Sequence, residues 1–296
     1  MSKIIVSGLV NIETSMDIDA FPIEYSPIEY KFFGVNHMVS GVGFNVAKAL
    51  KKLGDEVELY SIFGNDDFGN AILSELKKEK IPFKFIMKNE NFQTPESIVL
   101  NDKNGVRKIY CDLKNVQETA YFDEKVSFND VSLCVVTNIN FNRNLINKIK
   151  EHNVLIASDV HVLSDLDDEY NQDFLKSADI LFLSNEGVMG YEGDFIKSLY
   201  EKYHNNIIVI GCGEEGALAY KGDENRYFYE PANAPKGVKN TVGAGDALFS
   251  AFIHFYLKKK DIEYALKMAT LFAGLKISEP GGSNGFVDEE ELSTYL

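Results

Sequence analysis

The sequence is short of several things, and each shortage excludes a class of protein. It has three cysteines, Cys111, Cys134 and Cys212, far apart and odd in number, with no CxxC pair. A disulfide framework and a cysteine zinc site are therefore not expected, and a reducing cytoplasm is. No stretch approaches the ~20 unbroken apolar residues of a membrane span. The opening "MSKIIVSGLVNIE" lacks the apolar core and cleavage site of a signal peptide and reads as a first strand. Positive charge is scarce: 30 Lys and Arg against 45 Asp and Glu leave a formal net charge of −15. Such a surface repels phosphate backbones, so nucleic acid is not an expected partner; an anionic substrate would have to be drawn by local amides, cations or a metal. Repeats, low-complexity tracts and Pro- or Ser-rich linkers are missing as well. The 296 residues are therefore read as one unit with a sizeable core.

What is present is alternation. Short apolar runs at 3–10, 56–64, 133–139, 154–160, 178–185 and 206–213 have the composition of buried strands. Between them, residues 43–54, 68–80, 141–153 and 193–205 carry apolar residues at helical spacing and leave through cations, Gly or Asn. This predicts an α/β fold, a doubly wound and mainly parallel sheet with helices on both faces. Two segments break the rhythm. Residues 11–40 alternate in "ETSMDID" and then run through "EYKFFGV", and residues 93–113 place two alternating runs around "DKNG", a hairpin signal. Both fit a small β-sheet laid over the strand ends as a lid, or a plain surface hairpin.

The densest chemistry lies in "KNTVGAGDALFSAF" (239–252). Gly243, Ala244 and Gly245 carry almost no side chain and open an apolar helix, so a phosphate can approach the helix-start amides closely. Asp246 follows at once. It either caps the helix or orients an attacking hydroxyl and takes its proton, while the amides stabilise charge on a transferred phosphoryl group. The helix is apolar on most faces, so it must be buried and the loop must stand in a walled cleft.

This stretch resembles the C-terminal signature of the ribokinase-like sugar and nucleoside kinases, the PfkB family. A second match lies upstream: "SGVGFNVAKALKKLGDEVELYSIFGNDDFG" (40–69) is similar to the N-terminal signature, with Gly41, Gly43, Asn45, Ala47, Gly54 and Gly64 at the family spacing and then Asp66, Phe68 and Gly69. "IGCGEEGAL" (210–218) resembles the strand and turn before the nucleotide site. The resemblance runs in order over nearly the whole chain. It implies a Rossmann-like domain with a β-sheet lid, ATP across the C-terminal half and the phosphate acceptor under the lid. It implies Asp246 as catalytic base, with the Gly243, Ala244 and Gly245 amides as anion hole. Glu13, Gly41, Gly43 and Asn45 would bind the acceptor; Asn185, Thr241, Gly213, Gly216, Gly281 and Ser283 would lie along the nucleotide. Mg²⁺ is expected with the ATP phosphates. The implied reaction moves the γ-phosphate of ATP to a primary hydroxyl of a small sugar or nucleoside. A non-catalytic sensor on the same scaffold and a phosphosugar kinase are the alternatives. Pairing through the lids, as relatives do, would make a homodimer.

The departures from the family pattern are specific. Glu13 stands where an Asp is usual. In "NEGV" (185–188) Val188 replaces the Glu tied to magnesium and phosphate, which leaves the metal ligands unassigned, with Glu186 or water as substitutes. Asn240 replaces the leading Asp of the C-terminal signature and Val242 a small hydroxyl residue. Relatives with a monovalent-cation site draw oxygen ligands from that region, so this chain is not expected to need K⁺. Ser40 replaces a small Gly or Ala.

The remaining constellations are plainer. "GVGFN" lacks the third glycine of a dinucleotide fingerprint. The five histidines, His37, His152, His161, His204 and His254, show no metal-ligand spacing. His254 reads as a hydrogen-bonded core histidine, Cys212 as a small core residue. His161 and Asp159 follow a strand end and are candidates for the cleft.

Overall fold

The structure, a computed structural model, describes residues 2–84, 92–103, 106–119 and 126–296. Its strands are β1 (Lys3–Ser7), β2 (Asn11–Ile18), β3 (Val35–Ser40), β4 (Glu56–Tyr60), β5 (Phe83–Lys84), β6 (Glu96–Asp102), β7 (Arg107–Asp112), β8 (Leu133–Val136), β9 (Leu155–Val162), β10 (Ile180–Ser184), β11 (Ile207–Gly211), β12 (Ala217–Lys221) and β13 (Arg226–Glu230). The helices are α1 (Val42–Lys52), α2 (Asp67–Lys78), α3 (Arg143–Glu151), α4 (Gln172–Leu175), α5 (Glu192–Tyr203), α6 (Ala244–Lys259), α7 (Ile262–Lys276) and α8 (Glu289–Ser293).

Among the described residues the strands form two sheets. The larger has the order β13-β12-β11-β10-β9-β8-β1-β4-β5. It is parallel from β5 to β11, and β12 and β13 extend it antiparallel. Strands buried on both faces have no polar side to show, and here successive residues split between two cores. Ile4, Val6, Leu133, Val135, Ile180 and Phe182 pack with α1, α2, α6 and α7. Ile5, Cys134, Val136, Leu181 and Leu183 pack on the opposite face with α3 and α5. The doubly wound sheet expected from the alternation is thus present.

The smaller sheet, ordered β3-β2-β6-β7, joins the two segments that broke the rhythm. β2 and β6 pair in parallel at its centre, with β3 and β7 antiparallel outside them. β6 and β7 are the hairpin expected around "DKNG"; Asn104 and Gly105 of its turn lie outside the described residues. The lid is pinned to the main domain by Asp66. Its carboxylate caps α2 by accepting from the Gly69 N–H at 2.8 Å, and it also accepts from the Thr94 N–H at 2.8 Å and the Thr94 hydroxyl at 2.6 Å, just ahead of β6. A side chain at Gly69 would meet the Gly64 carbonyl at 2.0 Å, so the glycines of the 64–69 motif serve this clamp.

Candidate functional site

The site grows from the start of α6. Gly243 precedes the helix with φ at +77°, and a Cβ there would stand 2.3 Å from the Gly282 carbonyl, so only glycine fits. The Ala244 N–H donates to the Thr241 carbonyl at 3.2 Å. α6 is buried from Asp246 to Phe255, as its apolar sequence requires.

Asp246 is the third residue of α6 and does not cap it. Its Oδ2 instead accepts a 2.7 Å bond from Nδ2 of Asn45, on α1. The two signatures read from the sequence therefore meet at one buried contact. Burial pushes the Asp246 carboxyl up to about 6, and the nearby Asp159 charge adds to this; the Asn45 bond, His161 and Lys276 act in the opposite direction. Asp159 and His161 thus lie within electrostatic reach of Asp246. They sit at the end of β9, where the His161 N–H donates to Asp159 at 2.8 Å and His161 takes a left-handed φ of 58°.

Toward the lid, Glu13 on β2 is buried and its Oε1 has no hydrogen-bond partner. Three polar groups converge beside Gly282. A Cβ built there would lie 2.6 Å from Ser40 Oγ, 2.9 Å from Glu13 Oε2 and 3.2 Å from Asn45 Nδ2. Asn11 is two residues before Glu13, hence on the same face of β2. Its amide donates to Ser97 Oγ at 3.0 Å while its buried Oδ1 has no partner. The period-two spacing of Asn11 and Glu13 was the signal available for it. Gly41 and Gly43 have a packing reason: a Cβ at either would come within 2.6 Å of the Leu9 carbonyl oxygen or 2.5 Å of the Gly8 carbonyl carbon.

The remaining candidates stand at the ends of β10 and β11 and in the loops before α6 and after α7. Asn185 donates to Glu192 Oε1 at 3.2 Å, so the acid beside it comes from the first turn of α5. Val188 is fully buried in the core, where a carboxylate would be stranded. Glu186 sits in the turn after β10, with its N–H on Ser184 Oγ. Gly213 (φ +57°) has free space where a Cβ would be, whereas a Cβ at Gly216 would meet the Glu230 carbonyl at 2.1 Å. The Thr241 hydroxyl accepts a 2.6 Å bond from Arg107 of the lid strand β7. Ser283 is buried and donates to the Val39 carbonyl at 2.7 Å, joining its loop to β3; its neighbour Gly281 faces Met38. Burial raises the Cys212 thiol to about 11, which fits a core residue and not a nucleophile. His254 is the core histidine expected, paired through Nδ1 to Asp55 at 2.7 Å and through Nε2 to Glu289 at 3.0 Å.

Together these groups bring a buried carboxylate, a helix N-terminus and the buried, unpartnered Oε1 of Glu13 close to one another. That suits binding a polyhydroxy compound and aligning one hydroxyl against an anion.

Comparison with known proteins bears on the fold and the family. The model of the pfkB family of carbohydrate kinases matches residues 1–289. A 5-dehydro-2-deoxygluconokinase of Clostridium tetani is 24% identical, the alignment covering 99% of this chain and 92% of that protein. Among solved structures, a microbiome-derived acarbose kinase superposes with a TM-score of 0.88 at 20% identity, covering 99% of this chain and 98% of that one. The nucleoside kinase of Methanocaldococcus jannaschii, an archaeal member of the ribokinase family, gives 0.80 at 20% identity, with 99% and 97% covered. The structural likenesses establish the ribokinase-like fold. With the family model spanning nearly its whole length, the chain belongs to the pfkB family of carbohydrate kinases.

Proposed function

We propose that this kinase transfers the γ-phosphoryl group of ATP to a primary hydroxyl of a small sugar or nucleoside, with Asp246 as the base. The supporting observation is the Asn45–Asp246 contact, which fixes one carboxylate oxygen in a buried place and leaves the other for a substrate hydroxyl. The hydroxyl oxygen bonds to the γ-phosphorus, the bond to the β,γ-bridging oxygen breaks, ADP leaves, and the hydroxyl proton passes to Asp246. Glu13 Oε1 and Asn11 Oδ1, buried and unpartnered, accept further hydroxyls of the same acceptor. The Gly243 and Gly245 amides face the migrating phosphoryl at the helix start; that of Ala244 is engaged with Thr241. Nucleotide contacts are assigned to Thr241, Asn185, Gly213 and Gly216, with Gly281 and Ser283 on the adjoining loop.

Among the described residues no group of three or more His, Cys, Asp or Glu side chains stands ready to hold a metal. Mg²⁺ bound to the triphosphate would neutralise its charge there, and Asp159, which acts electrostatically on Asp246, or Glu192, bonded to Asn185, could help to hold it. We place the protein in a reducing cytoplasm: its three cysteines are free, and no helix among the described residues is long and apolar enough to cross a membrane. The lid leaves Tyr25, Phe32 and Phe33 exposed and β7 as an open edge, which supports pairing with a second copy. Sedimentation at micromolar concentration should give a dimer that Phe33→Glu dissociates; a monomeric parent would refute the pairing.

The activity is tested by coupled ADP release over a panel of pentoses, hexoses, sugar acids and nucleosides with Mg·ATP. An acceptor-dependent rate is expected for at least one. Calorimetric binding of panel members without any ADP release would instead identify a sensor.

A further inference from the structure

Lys276, the last residue of α7, is completely buried. A lysine that serves only the helix dipole stays at the surface, as Lys258 and Lys259 do at the end of α6. Lys276 turns inward instead. Its Nζ donates to the Val242 carbonyl and, at 2.5 Å, to the Gly281 carbonyl. Val242 immediately precedes the Gly243 turn that opens α6. Gly281 immediately precedes Gly282, whose carbonyl fits against Gly243 and around which Glu13, Ser40 and Asn45 converge. The ammonium therefore ties together the two loops that frame Asp246. Burial pulls it down to about 8, while the Asp246 and Glu13 carboxylates draw it up and Arg107 opposes them.

Two main-chain carbonyls turned toward one buried point form the kind of nest that a bare monovalent cation fills, since carbonyl oxygens replace its hydration shell. Here the cation is covalently attached. The loop also brings no charge of its own to recruit a free ion, because Asn240 is neutral and its Oδ1 accepts from the Val242 N–H at 2.8 Å.

We propose that Lys276 is a positioning residue acting as a tethered monovalent cation: it holds the 241–243 and 280–283 loops at the spacing the phosphate amides and Asp246 need, so that turnover requires no free K⁺. This rests on the kinase reading above and gives the neutral Asn240 a physical context.

The experiment compares the parent, Lys276→Ala and Lys276→Met in tetramethylammonium, K⁺ and NH₄⁺ salts at equal ionic strength, by turnover and by thermal unfolding. The parent should turn over within about twofold in all three salts. Lys276→Ala, which leaves a cavity, should lose roughly 10- to 100-fold in kcat through misplacement of the loops. K⁺ or NH₄⁺ should restore part of that rate and raise its unfolding midpoint. Lys276→Met, which fills the space without charge, should stay slow and show no cation-specific shift. In Lys276→Met the acid limb of the pH profile should also move upward, because Asp246 loses a cation that favours its ionised form, with Asn45, His161 and Asp159 unchanged around it.

A parent activated severalfold by K⁺, or a folded Lys276→Ala at the parental rate, overturns the proposal. If neither variant folds, the parent's response to K⁺ still decides it. If the parent phosphorylates nothing, the kinase reading fails separately; the cation-specific midpoint shift of Lys276→Ala then tests the tethered cation, and its absence rejects it.

Discussion

The two sides of the proposed site differ in character. On the side proposed for the acceptor, Glu13, Ser40 and Asn45 are each 3% exposed, and Glu13 keeps an oxygen without a partner. On the side proposed for the nucleotide, Gly213 and Gly245 have open space where a Cβ would stand, and Asn185 and Glu192 are only half-buried. Burying an unsatisfied carboxylate oxygen is costly unless a ligand completes it. On the proposed reading, the acceptor side is therefore where this chain stores specificity. The side proposed for the nucleotide has glycines at 213, 243 and 245, where a ligand can approach the main chain, which suits one recognised through its phosphates.

The largest effect should fall at the junction of the two sides. Asp246→Asn is expected to lower kcat by roughly 10²–10⁴-fold with little change in either KM. The same change should raise stability at pH 8 by roughly 1–3 kcal/mol, because a buried acid shifted upward opposes folding once ionised. The sign follows from the titration. The folded carboxyl binds its proton more tightly than the unfolded one, so its stabilising contribution is present at low pH and lost as pH rises through about 6. Chemical denaturation of both proteins at pH 5 and pH 8 checks it, and a gap that does not widen with pH contradicts it.

A second test follows from the same value. The kcat/KM of the parent should fall about tenfold per pH unit below about 6, since the proton acceptor must be ionised. Asp159→Asn removes a charge that raises Asp246 and should move this limb downward; a limb that stays put would detach Asp159 from the site.

The sharpest contrast between the two sides is smaller. Glu13→Gln should lose roughly 1.5–3 kcal/mol in acceptor kcat/KM, with KM for ATP unchanged. Gly213→Ala should cost about 1–2 kcal/mol in stability from its left-handed backbone and leave the acceptor untouched. If Gly213→Ala impaired the acceptor more than Glu13→Gln did, the division of labour would be wrong.

Much of this was legible in the sequence because it rests on local rules. Short apolar runs and helical apolar spacing marked the strands and helices that bury two faces of one sheet, and the resemblance to two family signatures marked Asn45 and Asp246. The signal weakened where tertiary contacts decide. β13 exposes most of "RYFYE" and pairs only as an antiparallel edge, so its sequence carries no buried-strand signature. Glu192 was not picked out beside Asn185, because a turn and a helix start bring them together across seven positions. Lys276 looks like an ordinary cation at a helix end. Only the fold shows that it turns inward, between loops whose carbonyls it holds. Asp246 was ambiguous for a related reason: an acid in a first helical turn caps the helix by default, and the 2.7 Å bond from Asn45 removes it from that role.

The most direct test is a crystal structure with a non-hydrolysable ATP analogue and an acceptor found by the panel. One Asp246 carboxylate oxygen should lie about 2.6–3.2 Å from the acceptor's reacting hydroxyl, with that hydroxyl in line with the terminal phosphate at the start of α6. An Asp246 turned away from that hydroxyl, or a terminal phosphate bound elsewhere than at the Gly243 and Gly245 amides, would contradict the account.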